Sequence, residues 1–298
     1  MKIELDKNGW TSIITGIDLR SASQQEMNTI AWLAAKDTVV VIRNQHLFPG
    51  DEVDICEKIG VCEQLALPDA PTQGTKFVEG GRGKIVRVGG GNHHGGVAGV
   101  FEHVSDMDWH SNRTGTETRD PLIWLYGVKD SQGSRTSWIN NIMSYQDLDQ
   151  ELKEQIKDLK LVMGFDAKVI SEDTYSITAR DSHAINNNWH PNLIHTNQAG
   201  VTGMFFSFLQ IHQILGFNKD KSDALIQKLR QHVEQEKYTY HHDWQDGDIV
   251  LSEQWLSIHK RWRCENIQNR VVHRIALNFN HCDISRTVAR TPEEFIKI

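Results

Sequence analysis

Two residues at strand-like spacing are candidate metal ligands. Residues 108–112 have the sequence Asp-Trp-His-Ser-Asn, so His110 and Asn112 stand two positions apart. Alternate residues of a β-strand point to the same face of a sheet, and imidazole is the commonest metal ligand in proteins. A second histidine from a distant strand would complete three ligands on one face of a metal, as in non-haem Fe(II) oxygenases. Taken alone, the pair also fits a core histidine beside a turn asparagine.

A second group of residues could bind a carboxylate. His259 follows shortly after a strand predicted at 249–251, and Arg270 and Arg274 come after it. Two arginines four positions apart share one face of a strand. Guanidinium groups that face a β-core need partners, and arginine binds a carboxylate through two parallel hydrogen bonds. The pair therefore indicates a site for a carboxylate of the protein or of a ligand, unless both arginines lie on an exposed edge strand.

The composition excludes several classes of protein. The 298 residues are 39% hydrophobic and 24% charged, which is typical of a globular protein. The formal net charge of −7 argues against a nucleic-acid partner. No apolar run is long enough for a membrane-spanning helix, and the first residues have no apolar signal core. Four cysteines without a C-x-x-C pair argue against a disulfide scaffold or a zinc ribbon, and favour reduced thiols in the cytoplasm.

The elements that must position these residues are mostly strands. Strands are predicted at segments rich in apolar, β-branched and aromatic residues, namely 39–42, 84–88, 122–128, 203–209, 249–251 and 271–279. Helices are predicted at segments with capping signals or helical periodicity, namely after Ser23, from Pro49 to Gly60, at 148–159 and at 225–233. The regular strand–helix alternation of a parallel doubly wound sheet is missing. The pattern predicts one mainly β domain over residues 1–298, a sandwich or barrel with flanking helices.

The motifs together resemble the taurine dioxygenase family of Fe(II)/2-oxoglutarate-dependent oxygenases. Residues 109–112 stand where that family has W-H-x-D, and residues 133–138 resemble its G-G-D-T-x-F/W segment. His259 occupies the place of the distal histidine of the family. Arg270 and Arg274 match its R-x-x-x-R pair. The order and spacing agree over nearly the whole chain, which is more specific than any single motif.

The resemblance implies a fold, a chemistry and a set of roles. The fold is the double-stranded β-helix, a cupin-like jelly roll. The chemistry uses Fe(II), 2-oxoglutarate and O2 to hydroxylate or desaturate a C–H bond of a small molecule, and the sequence allows a homo-oligomer. The implied site residues are the metal ligands His110, Asn112 and His259, the 2-oxoglutarate contacts Thr136 and Arg270, and the substrate contacts Arg274 and Asp106.

One residue departs from the family pattern. The carboxylate ligand of the family is aspartate, whereas this chain has Asn112, whose neutral amide oxygen is a poorer ligand for a hard cation. Three interpretations remain open. Asn112 ligates weakly through its oxygen, or an acid such as Asp108 or Glu117 replaces it, or the site is impaired and the jelly roll binds a small molecule without catalysis. A halogenase-like site fits less well, because those enzymes keep a small residue here.

A looser resemblance concerns the substrate. The segment 252–262 is similar to oxygenases that act on amino-acid-derived isonitriles in natural-product pathways. That likeness implies a substrate derived from tyrosine or tryptophan. The aromatic residues that would suit a pocket for such a substrate are Trp189, Phe205, Phe206 and Phe208.

Overall fold

The computed structural model describes the chain at residues 1–69, 72–97, 99–112, 121–163 and 190–284. Within these ranges the helices are α1 (Gln24–Asp37), α2 (Pro49–Ile59), α3 (Asn141–Gln146), α4 (Gln150–Ile156) and α5 (Lys219–Val233). None of these helices combines the length and the apolar character needed to cross a membrane. The four cysteines form no disulfide.

The strands form two principal sheets. In chain order they are β1 (Lys2–Leu5), β2 (Ser12–Thr15), β3 (Val39–Ile42), β4 (Val86–Gly89), β5 (Met107–His110), β6 (Leu122–Lys129), β7 (Arg135–Asn140), β8 (Leu161–Met163), β9 (Ile194–Thr196), β10 (Thr202–Met204), β11 (Ile211–Ile214), β12 (Thr239–Asp243), β13 (Ile249–Glu253), β14 (Ser257–Arg261) and β15 (Val271–Leu277). The major sheet has the order β1-β2-β3-β13-β6-β15-β4, and the minor sheet has the order β12-β7-β14-β5. Strand β8 pairs with β11, and β9 pairs with β10, in two small sheets.

Strand β3 explains how the layers form. Val39 and Val41 point to one side, where they pack with Trp138 of the minor sheet. Val40 and Ile42 point to the other side and join the cluster that contains the apolar faces of α1 and α2. Because alternate residues of a strand face opposite ways, a fully apolar strand needs a layer on each side. The two principal sheets therefore face each other, with α1 and α2 outside the major sheet, and the predicted mainly β class with flanking helices is confirmed.

The first two helices begin where the sequence predicts, and the second also ends where it predicts. Ser23 caps α1 through a reciprocal capping box, in which Glu26 Oε2 accepts from the main-chain nitrogen of Ser23 at 2.9 Å. Pro49 begins α2, and Gly60 follows its last residue. A cap of this kind contributes about 1 kcal/mol, and proline fits the first helical turn because no helical hydrogen bond is lost there.

Three predicted elements differ in the structure. The segment 203–209 is strand only in β10, and the chain then enters a 3-10 turn at Phe208–Gln210. Its aromatic residues are buried in a core cluster, and hydrophobicity alone does not separate a buried loop from a buried strand. Helix α4 stops at Ile156, before the end of the predicted segment 148–159. Strand β15 ends at Leu277, before the end of the predicted segment 271–279, and within it His273 Nδ1 pairs at 2.6 Å with Glu52 of α2.

Candidate active site

Two histidines from adjacent strands of the minor sheet lie together. His110 of β5 is the register partner of His259 of β14, and their ring centroids are 4.2 Å apart. Both side chains are buried. The Nδ1 atom of His110 lies 2.6 Å from the main-chain oxygen of Asp108. Because a carbonyl oxygen only accepts, Nδ1 carries the proton and Nε2 is left with a lone pair.

Burial sets the charge of the His110 ring. Desolvation lowers the pKa of His110 to about 4, against the smaller opposing effect of its hydrogen bond to Asp108. The ring is therefore neutral near pH 7, which is the form that ligates a metal.

Asn112 is oriented by Gln254. The main-chain nitrogen of Asn112 lies 3.2 Å from Gln254 Oε1, and Asn112 Nδ2 lies 3.3 Å from the same oxygen. A main-chain N–H only donates, so the Gln254 atom facing it must be the oxygen rather than the amide nitrogen. The Asn112 atom beside that oxygen must then be the donor Nδ2. The Oδ1 atom of Asn112 is therefore the arm of the amide that does not face Gln254.

The two alternative acids do not join these residues. The Asp108 side chain is 44% exposed and lies 3.7 Å from Lys260 Nζ and 4.0 Å from Arg230 Nη2. Glu117 lies outside the described residues. In the part of the chain that the structure describes, no three His, Cys, Asp or Glu side chains come close enough to hold a metal. The two imidazoles would supply the histidine ligands of a non-haem Fe(II) site, and the neutral amide oxygen of Asn112 could occupy the position that a carboxylate usually takes.

A cavity opens over the two histidines. Six of the seven predicted site residues line it, namely His110, Asn112, Thr136, His259, Arg270 and Arg274. Its apolar lining comes from Val88, Phe101, Met107, Leu125 and Val272. The predicted site residues thus come together from the inner face of the minor sheet, from Arg274 of strand β15 in the major sheet, and from Arg270 directly before that strand.

Arg270 is a buried cation in the wall of this cavity. It is 2% exposed, and its Nε and Nη1 atoms have no hydrogen-bond partner among the described residues. Desolvation lowers the pKa of Arg270 to about 10, so the group is still charged near pH 7. A buried charge without a partner is costly, so this guanidinium has the chemistry to hold the carboxylate of a ligand.

The hydroxyl group of Thr136 is available as a hydrogen-bond donor. Its Oγ1 atom accepts a hydrogen bond of 2.9 Å from Trp244 Nε1. An indole nitrogen only donates, so the Thr136 proton is directed to another acceptor. The Trp244 ring also lies 5.7 Å from the Arg270 guanidinium, so one indole packs against both polar groups.

Of the two predicted substrate contacts, Arg274 lines the cavity and Asp106 does not. Arg274 is half-buried at the cavity, with its guanidinium 5.7 Å from the Phe101 ring. Asp106 lies outside the cavity, where its Oδ1 accepts from the main-chain nitrogen of Arg263 at 2.6 Å. Its Oδ2 lies 3.5 Å from Lys260 Nζ, and the side chain is 45% exposed.

The aromatic residues predicted for a substrate pocket lie elsewhere. Phe205, Phe206 and Phe208 are buried in the core cluster that includes residues of α5, and they do not line the cavity. Trp189 lies outside the described residues.

Sequence reasoning missed two residues of the site. Gln254 is one, and only its contacts across the fold reveal it. Arg261 is the other, since it lines the cavity two residues after His259. The period of two along a strand, applied to His259, would have indicated Arg261.

Three relatives each align with more than half of this chain. Pentalenolactone F synthase of Streptomyces arenae is 22% identical over 186 residues, which cover 58% of this chain and 62% of that protein. An (S)-phenoxypropionate/alpha-ketoglutarate-dioxygenase of Sphingobium herbicidovorans is 22% identical over 278 residues, which cover 88% of this chain and 89% of that protein. The crystal structure of a taurine dioxygenase from Burkholderia xenovorans superimposes with a TM-score of 0.69 at 18% identity, over 90% of this chain and 85% of the other.

The family assignment rests on most of the chain. Residues 6–276 match the family described as taurine catabolism dioxygenase TauD, TfdA family. The jelly-roll fold predicted from the motifs is confirmed by the superposition, and so is the predicted class of enzyme, a 2-oxoglutarate-dependent dioxygenase. The chain belongs to the taurine catabolism dioxygenase TauD, TfdA family.

Proposed function

We propose that this enzyme hydroxylates or desaturates a C–H bond of an anionic small molecule, with Fe(II), 2-oxoglutarate and O2. The observation that carries the proposal is Arg270, a buried guanidinium whose Nε and Nη1 lack partners among the described residues. It lines the same cavity as His110 and His259. A metal-binding end and a carboxylate-binding end in one cavity are what a 2-oxo dicarboxylic acid requires.

The metal ligands in this proposal are His110, His259 and the Oδ1 atom of Asn112. Bound there, Fe(II) would supply the oxidative decarboxylation of 2-oxoglutarate to succinate and CO2 and the oxidation of the substrate. His110 is held by the Asp108 carbonyl so that Nε2 is available. Gln254 engages the amide nitrogen of Asn112 and leaves the oxygen for the metal. This arrangement favours weak ligation by Asn112 over its replacement by another acid.

The co-substrate contacts act at the other end of the cavity. Thr136 donates its hydroxyl proton, and Arg270 donates N–H groups, to the distal carboxylate of 2-oxoglutarate. Charge-assisted hydrogen bonds in a buried site are about twice as strong as neutral ones. Because Trp244 already fixes the Thr136 oxygen, the threonine needs little reorganisation when the ligand arrives.

Arg274 is the proposed contact for the substrate. It is less buried than Arg270 and lies near the Phe101 ring at the cavity. A cation beside an apolar wall suits a molecule with an acidic group and an apolar part. The relative from Sphingobium herbicidovorans is named for phenoxypropionate, which has that chemistry.

The test is anaerobic addition of Fe(II) and then 2-oxoglutarate to the purified protein. We expect a weak visible metal-to-ligand charge-transfer band that requires both additions, and succinate formation after O2 is admitted. Arg270→Gln should lose the band at the same ligand concentrations. A wild-type protein without the band and without Fe(II) binding would contradict the proposal.

A second candidate function follows from Asn112. A jelly roll that binds 2-oxoglutarate and a small molecule without turnover would keep the arginines and lose the acidic metal ligand. The same experiment separates the two functions, because a binding protein would bind 2-oxoglutarate and form no succinate with any candidate substrate.

A further inference from the structure

A second buried arginine lies beside the proposed co-substrate site. Arg261 is 5% exposed and lines the cavity. Its Nη2 atom donates to the main-chain oxygens of His103 at 2.8 Å and Ser105 at 2.9 Å. Its Nε and Nη1 atoms are buried and have no hydrogen-bond partner in the described part of the chain. The loop contacts therefore account for one nitrogen of the guanidinium and leave two without an acceptor.

The register of the minor sheet places Arg261 relative to the histidines. His259 is opposite His110, and Arg261 is opposite Thr136, two residues further along β14. Residues two apart on a strand share a face and lie roughly 6.6 Å apart. A short dicarboxylate with its oxo-acid end at the histidines would therefore reach Thr136 and Arg261.

The charges at this end of the cavity are unbalanced. Arg261 is close enough to Arg270 for its positive charge to lower the pKa of Arg270 further, although burial is the larger cause. None of the carboxylates in the described residues lines the cavity with these two cations. Two like charges in a poorly solvated site repel each other, and an anion between them removes the repulsion.

We propose that Arg261 and Arg270 together bind the distal carboxylate of the co-substrate, with Thr136 as the third donor. The inference rests on the proposed function, since it takes the oxo-acid end to lie at the metal ligands. In this role, Arg261 gives the enzyme a strong preference for dicarboxylic over monocarboxylic 2-oxo acids. The competing explanation is that Arg261 only fixes the loop at 103–105.

The experiment compares two ligands of equal chain length on the Mn(II)-loaded protein. Calorimetry measures the affinity for 2-oxoglutarate and for 2-oxopentanoate, which lacks the distal carboxylate. We expect Arg261→Gln to weaken 2-oxoglutarate at least tenfold and to change 2-oxopentanoate less than twofold. Arg263→Gln is the matched control, because Arg263 is exposed and pairs with Glu265, and it should change neither affinity.

Each outcome has a defined meaning. An equal loss for both ligands, or no loss for either, in Arg261→Gln overturns the inference, because loop fixation alone does not distinguish the ligands. Arg270→Gln tests the proposed function separately. If Arg270→Gln does not weaken 2-oxoglutarate more than 2-oxopentanoate, both the inference about Arg261 and the proposed function are overturned. If Arg261→Gln does not fold by circular dichroism, Arg261→Lys replaces it. The lysine ammonium lacks the planar fork of the guanidinium, so Arg261→Lys should still weaken 2-oxoglutarate selectively, and equal effects on both ligands overturn the inference.

Discussion

His110 and His259 lie directly opposite each other on the antiparallel strands β5 and β14. The ring contact at 4.2 Å therefore depends on strand register as well as on the two residue types. A slip of one residue would move the His259 ring to the outer face of the minor sheet. On its other side, β14 pairs with β7 over Ser257–Arg261, and this second ladder helps to hold the register.

The first prediction concerns the histidine pair. His259→Ala should abolish Fe(II) or Mn(II) binding, because the proposed site would keep one imidazole and one neutral amide oxygen. Calorimetry under anaerobic conditions measures the metal affinity, and the far-UV spectrum should stay unchanged. His46→Ala is the control, since His46 is exposed and remote in sequence from the site. Wild-type metal affinity in His259→Ala would refute the ligand assignment.

The second prediction is that replacing Arg270 increases the stability of the protein and weakens its binding of 2-oxoglutarate. Arg270→Met should raise the free energy of unfolding of the ligand-free protein by about 1–4 kcal/mol, because it removes a buried charge whose Nε and Nη1 have no hydrogen-bond partner among the described residues. The same variant should weaken 2-oxoglutarate by roughly 2–5 kcal/mol. Urea denaturation and calorimetry measure the two quantities. A change in affinity within about twofold, equivalent to ~0.4 kcal/mol, would place the carboxylate anchor elsewhere.

Much of the site follows from local sequence patterns. His110 with Asn112, and Arg270 with Arg274, could be placed in one site because a strand repeats every two residues and the motif order supplies the partners. Ser23 and Pro49 likewise predict helix starts, since a cap depends only on neighbours in the chain.

The rest depends on contacts between distant parts of the chain. Gln254 orients Asn112 across 142 positions of sequence, and no local pattern indicates that hydrogen bond. The hydrogen bond between Asp106 and Arg263 is likewise set by tertiary packing, so no local pattern indicates it. The chemistry of side chains predicts what a residue can do, whereas packing decides which partner it meets.

The third prediction concerns acid stability. His242 is fully buried, with Nδ1 at 3.1 Å from the Tyr240 hydroxyl and Nε2 at 3.2 Å from Asp248. Burial lowers the pKa of His242, and the nearby Asp248 opposes this effect without reversing it. The unfolded chain then binds a proton more readily than the folded chain. The contribution of His242 to stability is therefore present above the ordinary histidine pKa and is lost as the pH falls below about 6.5.

Urea denaturation between pH 7 and pH 5 measures this effect. The free energy of unfolding should fall by up to about 1.4 kcal/mol per pH unit for one such proton. His242→Gln removes the titrating group and should flatten the curve in this range, although the variant is less stable at pH 7. A His242→Gln curve parallel to that of the wild type would assign the acid sensitivity to other groups.

The fourth prediction tests Asn112, the residue that departs from the family pattern. Asn112→Asp should tighten Mn(II) binding at least tenfold, or about 1.4 kcal/mol, because a carboxylate supplies a full charge to a dication and an amide supplies only a dipole. The same change places a carboxylate oxygen beside Gln254 Oε1, where Asn112 now donates, so the metal-free variant should lose about 1–3 kcal/mol of stability. Asn112→Ala is the control and should bind the metal more weakly than the native protein. Calorimetry and succinate yield per iron are the measurements, and an unchanged affinity in Asn112→Asp would indicate a different third ligand.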